Sequence, residues 1–490
     1  MTKQEMVTVL AALVWLGCGT ACIDYAMEVK PRSKAHTRLL AGAALINDRQ
    51  GSRCATLDMG GLCLVWDLSN GQVVENWQLP PFEEPRPKPD PDPAALIFRR
   101  VFNAPHFSRV DLITVSNTGQ LALVNVGYNA GSPAGTRGAG PVVVRVHELS
   151  SGKRLAEFHA IHRPRYDWGV MHPELPLTYP IKIREVCLVR DASTGAVTGF
   201  LAESADPVNQ GHRMAYVDCT GWPLKKFDLP LQLQKGELLL AARLLGEKLL
   251  LVKSAARFVP SRDRLEPVPS IKAPFSLYEW NLSELQKPVV HHLEMEIGPN
   301  AYLYAADVAR RDNKLHMAAL IGEPNLQSPG FLDELTVRLA TLAQGTKHFQ
   351  DIPVRFHHIG NPITHPKVCF VSDGDYLIVD HTVSCVLDLA QGKQLFRLPP
   401  LEPPKPEESN EDYVRRIVIS PLGKPGYNHV YETVGFLPKE SAIIQISHRG
   451  QINIWNVREG KLLRSFQVLS HEFLQQLYGA SESKPRNSGP

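Results

Sequence analysis

Motifs that announce chemistry are missing from this 490-residue sequence. It holds no GxSxG elbow, no Walker loop, no HExxH pair and no dinucleotide fingerprint, so no enzyme class readable from those motifs is indicated. Its eight cysteines (Cys18, Cys22, Cys54, Cys63, Cys187, Cys219, Cys369 and Cys385) form no CxxC pair and no Cys/His ligand spacing. A structural zinc site is therefore not expected. No block of Lys or Arg stands out and the formal charge is only +3; nucleic acid is not indicated as a partner. The apolar run Val7 to Gly17 covers about eleven residues, too few to span a bilayer.

Turn formers, in contrast, are abundant: 39 Pro and 35 Gly accompany 43% hydrophobic and 21% charged residues. That balance suits a soluble globular chain with many tight turns. The turns belong to a recurring hairpin. Its clearest copies are Val65-Trp66-Asp67-Leu68-Ser69-Asn70-Gly71-Gln72-Val73-Val74 and Ile454-Trp455-Asn456-Val457-Arg458-Glu459-Gly460-Lys461-Leu462-Leu463. Weaker copies run from Val386 to Leu395 around Gly392 and from Val146 to Leu155 around Gly152. Each is an apolar strand, a polar turn whose Gly can take positive φ, and a second strand. Self-similarity over almost the whole chain marks a repeat architecture.

Period-2 apolar runs divide the chain into seven four-stranded units, at about 37–78, 98–158, 181–229, 236–293, 301–349, 365–398 and 430–466. Leu332–Ala343, inside the fifth, also fits a helix. The fold class is thus all-β, a seven-bladed propeller of four-stranded antiparallel blades with long inter-strand inserts. Hairpin markers recur at intervals of about 47 to 81 residues against ~40–45 for a plain blade, and the inserts account for the excess.

Over roughly residues 37–468 the chain resembles the WD-repeat family of β-propellers, on Trp66-Asp67, Trp455-Asn456 and the turn-Gly hairpins. A seven-bladed propeller of the quinoprotein-like type fits the same pattern. The family's Gly-His dipeptide at a repeat start is essentially absent. The buried Asp–His–Ser/Thr–Trp network of regular WD repeats is therefore not expected here.

Segments outside the repeats have their own readings. Residues 1–22 are either a signal peptide, with Cys22 resembling a lipoprotein site, or an N-terminal strand. The first would place the protein in the cell envelope or outside the cell, the second in the cytoplasm; a membrane is a partner only in the lipoprotein case. Pro-rich stretches at 80–93 and 399–408 read as stiff connectors. Residues 469–490 form a short helix, capped by Ser470, and a disordered tail.

Candidate sites are sparse. Arg163, Arg165, Tyr166 and Trp168 fall in a connection between the second and third units, and combine the residue types that dominate binding hot spots. Arg184, Asp307, Arg310 and His365 are candidates for the innermost strands around the axis. His357, His358 and His365, with Asp373, Asp375 and Asp380, make a polar region, but adjacent strand residues point to opposite faces and no metal site is expected. Cys54 and Cys63 can face each other across one hairpin, which leaves their disulfide state open. No catalytic, metal or cofactor-binding residue is assigned. The expected function is a non-catalytic, monomeric propeller that serves as a scaffold for protein partners. The alternative is an enzyme or small-ligand binder that uses the central channel.

Overall fold

The structure, a computed structural model, describes residues 35–38, 40–46, 53–58, 60–79, 108–116, 120–127, 143–168, 180–205, 212–233, 237–254, 271–297, 302–324, 332–343, 346–354, 367–380, 384–398, 431–447 and 450–478. The readings for residues 1–22, both Pro-rich stretches, His357, His358, His365 and the tail beyond 478 lie outside these residues. No helix among the described residues is long and apolar enough to cross a membrane.

The chain is all-β and built of four-stranded antiparallel meanders. Sheet A comprises Leu40–Ile46, Arg53–Asp58, Leu62–Asp67 and Gln72–Gln78. Sheet B comprises Ser108–Val115, Gln120–Gly127, Val143–Glu148 and Arg154–His159. An eight-stranded sheet holds two meanders, C and D, joined where Arg190 and Asp191 pair in parallel with Arg243 and Leu244. C comprises Leu188–Asp191, Val197–Ala205, His212–Asp218 and Lys225–Leu229; D comprises Leu238–Leu245, Lys248–Ser254, Ile271–Asn281 and Val289–Ile297. Sheet E runs through Tyr302–Arg311, Lys314–Pro324, Leu332–Ala343 and Thr346–Val354. Leu332–Ala343 is therefore a strand, paired on both sides. Sheet F runs through Lys367–Val371, Tyr376–Asp380, Ser384–Asp388 and Lys393–Leu398; sheet G runs through Tyr431–Leu437, Ala442–Ser447, Gln451–Asn456 and Leu462–Gln467. A helix, His471–Tyr478, follows, and the Phe473 N–H donates to Ser470 Oγ at its start.

Local chemistry explains the repeated hairpin. Gly71, Gly152, Gly392 and Gly460 all take φ between 62° and 67°, where a Cβ would be strained. The acidic or amide residue that ends the strand caps the turn: Asp67 Oδ1 accepts the Ser69 N–H and Asn456 Oδ1 accepts those of Arg458 and Glu459. All four hairpins shift register at the same place, at Val65/Trp66, Val146/His147, Val386/Leu387 and Ile454/Trp455. A second bulge recurs between the first two strands of A, B, D, E and G. The units thus repeat in backbone geometry even where their sequences have diverged.

Packing is cyclic. Seven hydrophobic cores lie among the described residues, and each is shared by two sheets. They join A to B, B to C, C to D, D to E, E to F and F to G. The last core joins G back to A, with Leu45, Trp66 and Leu68 against Ile444, Ile454 and Phe466. Each sheet buries both faces against neighbours, and closure leaves no first or last face open. The arrangement is propeller-like.

Two expectations are corrected here. Cys54 pairs with Trp66 and Cys63 with Leu57, so the two thiols sit on opposite faces of sheet A, in different cores. Both are free, because side chains an odd number of positions apart in register cannot meet. The buried WD-type network also exists, in sheet A. The Trp66 indole N–H donates to Thr56 Oγ1 at 2.7 Å, Thr56 Oγ1 lies 2.7 Å from His36 Nε2, and His36 Nδ1 lies 3.1 Å from Asp58 Oδ2. The histidine occurs here as Ala35-His36, so a search for a Gly-His dipeptide misses contacts that depend on His36 itself. The same residue ties the chain ends of the ring: its N–H donates to Val468 O and its C=O accepts the Ser470 N–H, both at 2.8 Å.

Candidate functional site

A central cavity is lined by the innermost strands of several sheets, with an empty volume of about 780 Å3 that includes its open part. Aliphatic side chains such as Leu201 and Leu240 make most of its wall. The polar groups are Arg190, Arg243, Asp307, Lys367, Asp380 and Thr433, together with the Cys187 and Cys369 thiols.

Arg243 is 1% exposed, a lone charge within the apolar strand Leu238–Leu245. Its Nε–H donates to Asp307 Oδ1 at 2.8 Å and an Nη2–H donates to Oδ2, a two-pronged pairing that joins sheets D and E. Asp307 Oδ2 also accepts the Phe370 N–H at 2.7 Å from sheet F. The guanidinium completes its set by donating to Cys369 Sγ at 3.1 Å and to Asp191 O at 3.4 Å. Burial opposes the Arg243 charge, but the facing Asp307 carboxylate outweighs it and holds the guanidinium protonated above its ordinary range.

A second buried cluster joins sheets F and G. Asp380 Oδ1 accepts from Ser384 Oγ at 2.6 Å and from Thr433 Oγ1 at 2.8 Å, and Oδ2 accepts the Thr433 N–H at 3.2 Å. Gln445 Nε2 donates to Ser384 Oγ at 2.5 Å. In both clusters the carboxylate serves as an acceptor between sheets. No group of three or more His, Cys, Asp or Glu among the described residues is placed to hold a metal ion.

The thiols differ sharply. Cys54, Cys63, Cys219 and Cys385 are buried, and burial pushes each of them up to about 12. Cys369 is the one described cysteine that is not fully buried.

One turn reaches several sheets. The turn after Leu188–Asp191 is shaped by Asp191, whose Oδ1 accepts the N–H and hydroxyl of both Ser193 and Thr194 at 2.7–3.1 Å. From sheet C it reaches sheet D, where the Ala192 N–H donates to Leu244 O at 2.9 Å. It also reaches sheet F, whose Ser372 N–H donates to Ser193 O at 2.9 Å, and sheet G, whose Phe436 N–H donates to Thr194 O at 2.7 Å. A Cβ on Gly195 would lie 3.3 Å from Cys369 Sγ. Ala196 enters the core that sheets G and A share, and Val197 O accepts from Thr114 Oγ1 of sheet B at 2.9 Å.

The residues singled out in the sequence fall in several places. Arg163, Arg165, Tyr166 and Trp168 lie on a strand, His162–Trp168, paired antiparallel with Pro180–Val186; the connection is a hairpin. Arg165 is partnered in register by Ile183 and Arg184 by Pro164, and the side chains of residues 162–168 and 180–185 lie outside the described residues. Asp307 faces the cavity. Arg310 does not: it donates to Glu279 Oε2 at the D–E boundary, beside the Lys248–Glu279 pair. Asp380 joins the cavity wall, whereas Asp375 pairs with Arg311 at 3.2 Å. Sequence reading missed Arg243, Cys369, Thr433 and the Asp191 turn. A solitary Arg in the run Leu238-Leu239-Leu240-Ala241-Ala242-Arg243-Leu244-Leu245 was the available signal, since a buried charge demands a partner.

Fold and cavity together define a propeller-like all-β protein. No protein-family profile matches the chain, and no curated protein matches it. Among solved structures it is similar to the computationally designed Ika8 protein, at 12% identity over 90% of this chain and 91% of that one, with a TM-score of 0.36. It is also similar to the β-propeller domain of Cps50 (Swd1) from Myceliophteria thermophila, at 13% identity over 88% and 99%, with a TM-score of 0.37. A third is the complex of KlAtg21 with the coiled coil of AgAtg16, at 9% identity over 88% and 99%, with a TM-score of 0.43. The propeller-like architecture follows from the chain's own sheets and the cores they share.

Proposed function

We propose that the chain is a single seven-bladed propeller of WD-repeat-like or quinoprotein-like type, with sheets A to G as blades, and that it acts as a non-catalytic scaffold for protein partners. The observation that carries this reading is the use made of the polar groups at the centre. Arg243, Asp307, Asp380 and Thr433 bond one sheet to the next and so brace the ring. A braced ring is a rigid frame, and rigid frames suit the display of turns and connections to a partner. The test is native purification of the full chain with chemical cross-linking. A stoichiometric protein cross-linked to turns of the ring is expected. Turnover of a small substrate by the purified chain, abolished by Asp380→Asn in a folded variant, overturns the scaffold reading.

The cavity supports a second reading, as a small-ligand binder. Arg190, Lys367 and the Cys369 thiol line the cavity beside its aliphatic wall, the mixture that small-molecule sites use. Saturable binding of a small molecule, lost on Lys367→Met, distinguishes this case from the first.

A further inference from the structure

We infer that the turn at residues 192–196 is a stopper. It closes one end of the central cavity and ties sheet C to the opposite side of the ring as one releasable unit. The argument starts from order around the ring. The shared cores give sheet C two neighbours, B and D. Sheets F and G lie three and four places on. A turn that leaves C and accepts hydrogen bonds from Ser372 of F and Phe436 of G must therefore cross the axis.

Its level along the axis follows from where it is held. Leu244, Ser372 and Phe436 stand at or just beyond the C-terminal ends of their sheets' first strands. The cavity is lined by earlier positions of the same strands, including Leu239, Lys367 and Thr433. The turn thus lies just beyond that end of the cavity, behind the lining residues Arg190, Arg243 and Cys369, and the cavity extends toward the N-terminal ends of those strands. A ligand, or a partner's side chain, enters from that face. This rests on the ring order and not on either functional reading.

The turn is built to hold its place. Four hydrogen bonds to Asp191 Oδ1 shape it, and the Gly195 N–H donates to Asp191 O at 2.9 Å. Its outward backbone bonds are few: the Ala192 N–H donates to sheet D, and two carbonyls accept from F and G. Local opening that breaks a few exposed bonds lies far below global unfolding in free energy. Release of the turn uncovers Cys369 Sγ, against which Gly195 packs.

Asp191→Ala in the full chain tests this, read by maleimide labelling of each cysteine with peptide mass spectrometry. Labelling of Cys369 is expected to rise about ten-fold over the wild type, the size of effect a local opening equilibrium gives. Cys385, in the same sheet but fully buried, is expected not to change. Equal rates at Cys369 in variant and wild type overturn the stopper, as does a parallel rise at Cys385, which means the whole ring has loosened. Hydrogen exchange on the wild-type protein gives a second test that needs no variant. The Ser372 and Phe436 amides donate to the same turn, so a single release predicts equal protection factors. Protection that differs by about ten-fold or more overturns release as one unit.

Discussion

The indole N–H of Trp66 has an acceptor, Thr56 Oγ1 at 2.7 Å, whereas that of Trp280, at the same place in sheet D, has no partner. Trp66 pairs in register with Cys54 and Trp280 with Leu249, so the residue two places on is Thr56 in one sheet and Leu251 in the other. A hydroxyl in sheet A answers a donor that an aliphatic side chain in sheet D cannot.

Thr56→Val is expected to destabilise by about 1–3 kcal/mol, since it leaves a buried indole N–H and a buried imidazole nitrogen unpaired. The reverse comparison is sharper. A Val-to-Thr change in a core is ordinarily unfavourable because it buries a hydroxyl. At position 251 the order should invert, with Leu251→Thr more stable than Leu251→Val because Trp280 gains an acceptor. Urea midpoints of the four chains check both statements.

Arg243 and Asp307 should show strong coupling. Arg243→Met alone leaves a buried carboxylate facing apolar surface, and a loss of about 3–5 kcal/mol is expected. Arg243→Met combined with Asp307→Leu should lose markedly less than the sum of the two singles. A double-mutant cycle in denaturant measures the difference, and simple additivity would refute the pairing.

Gly195 and Gly246 both take positive φ, +67° and +58°, but only Gly195 has a neighbour in the way. Gly246→Ala should cost about 1–2 kcal/mol, the left-handed penalty alone. Gly195→Ala should cost more, because the new methyl presses on Cys369 Sγ. Cys369→Ala is expected to relieve that excess and leave the backbone penalty. Thermal melts of the two single variants and of Gly195→Ala/Cys369→Ala separate the contributions.

Two carboxylates should bend the pH dependence of stability in opposite directions. Burial raises the Glu279 carboxyl, but Lys248 and Arg310 outweigh it and hold it below its ordinary 4.5. Its contribution is present above 4.5 and is lost as pH falls through the lower folded value. Asp373 lies above its ordinary 3.8, through burial and then the Asp191 and Asp375 charges. Its favourable contribution exists below 3.8 and disappears as pH rises through the folded value, so at neutral pH the charge is a liability. Glu279→Gln should therefore flatten the acid limb of a stability–pH curve. Asp373→Asn, which suits the φ of 52° at that position, should stabilise at neutral pH and lose its advantage in acid.

The strands and hairpins were legible because their causes are close in sequence. Alternating apolar residues mark a strand, and Asp67 or Asn456 followed by Gly71 or Gly460 marks the turn. The helical reading of Leu332–Ala343 failed for a related reason: a long apolar run fits either period until its neighbours are known. The tryptophan network was hidden because His36 and Trp66 meet through Thr56, and no dipeptide records that meeting.

By itself, then, the sequence determined an all-β chain of repeating hairpins, since turn chemistry and period-2 patterning act over a few residues. Tertiary structure alone decided what lies at the centre. Arg243 finds Asp307 64 positions away and Thr433 finds Asp380 53 positions away, and the Asp191 turn meets Ser372 and Phe436 from the far side of the ring. These contacts arise from the order in which sheets close on one another. That closure is driven by non-directional burial of apolar faces, which leaves no local mark on the polar residues it brings together.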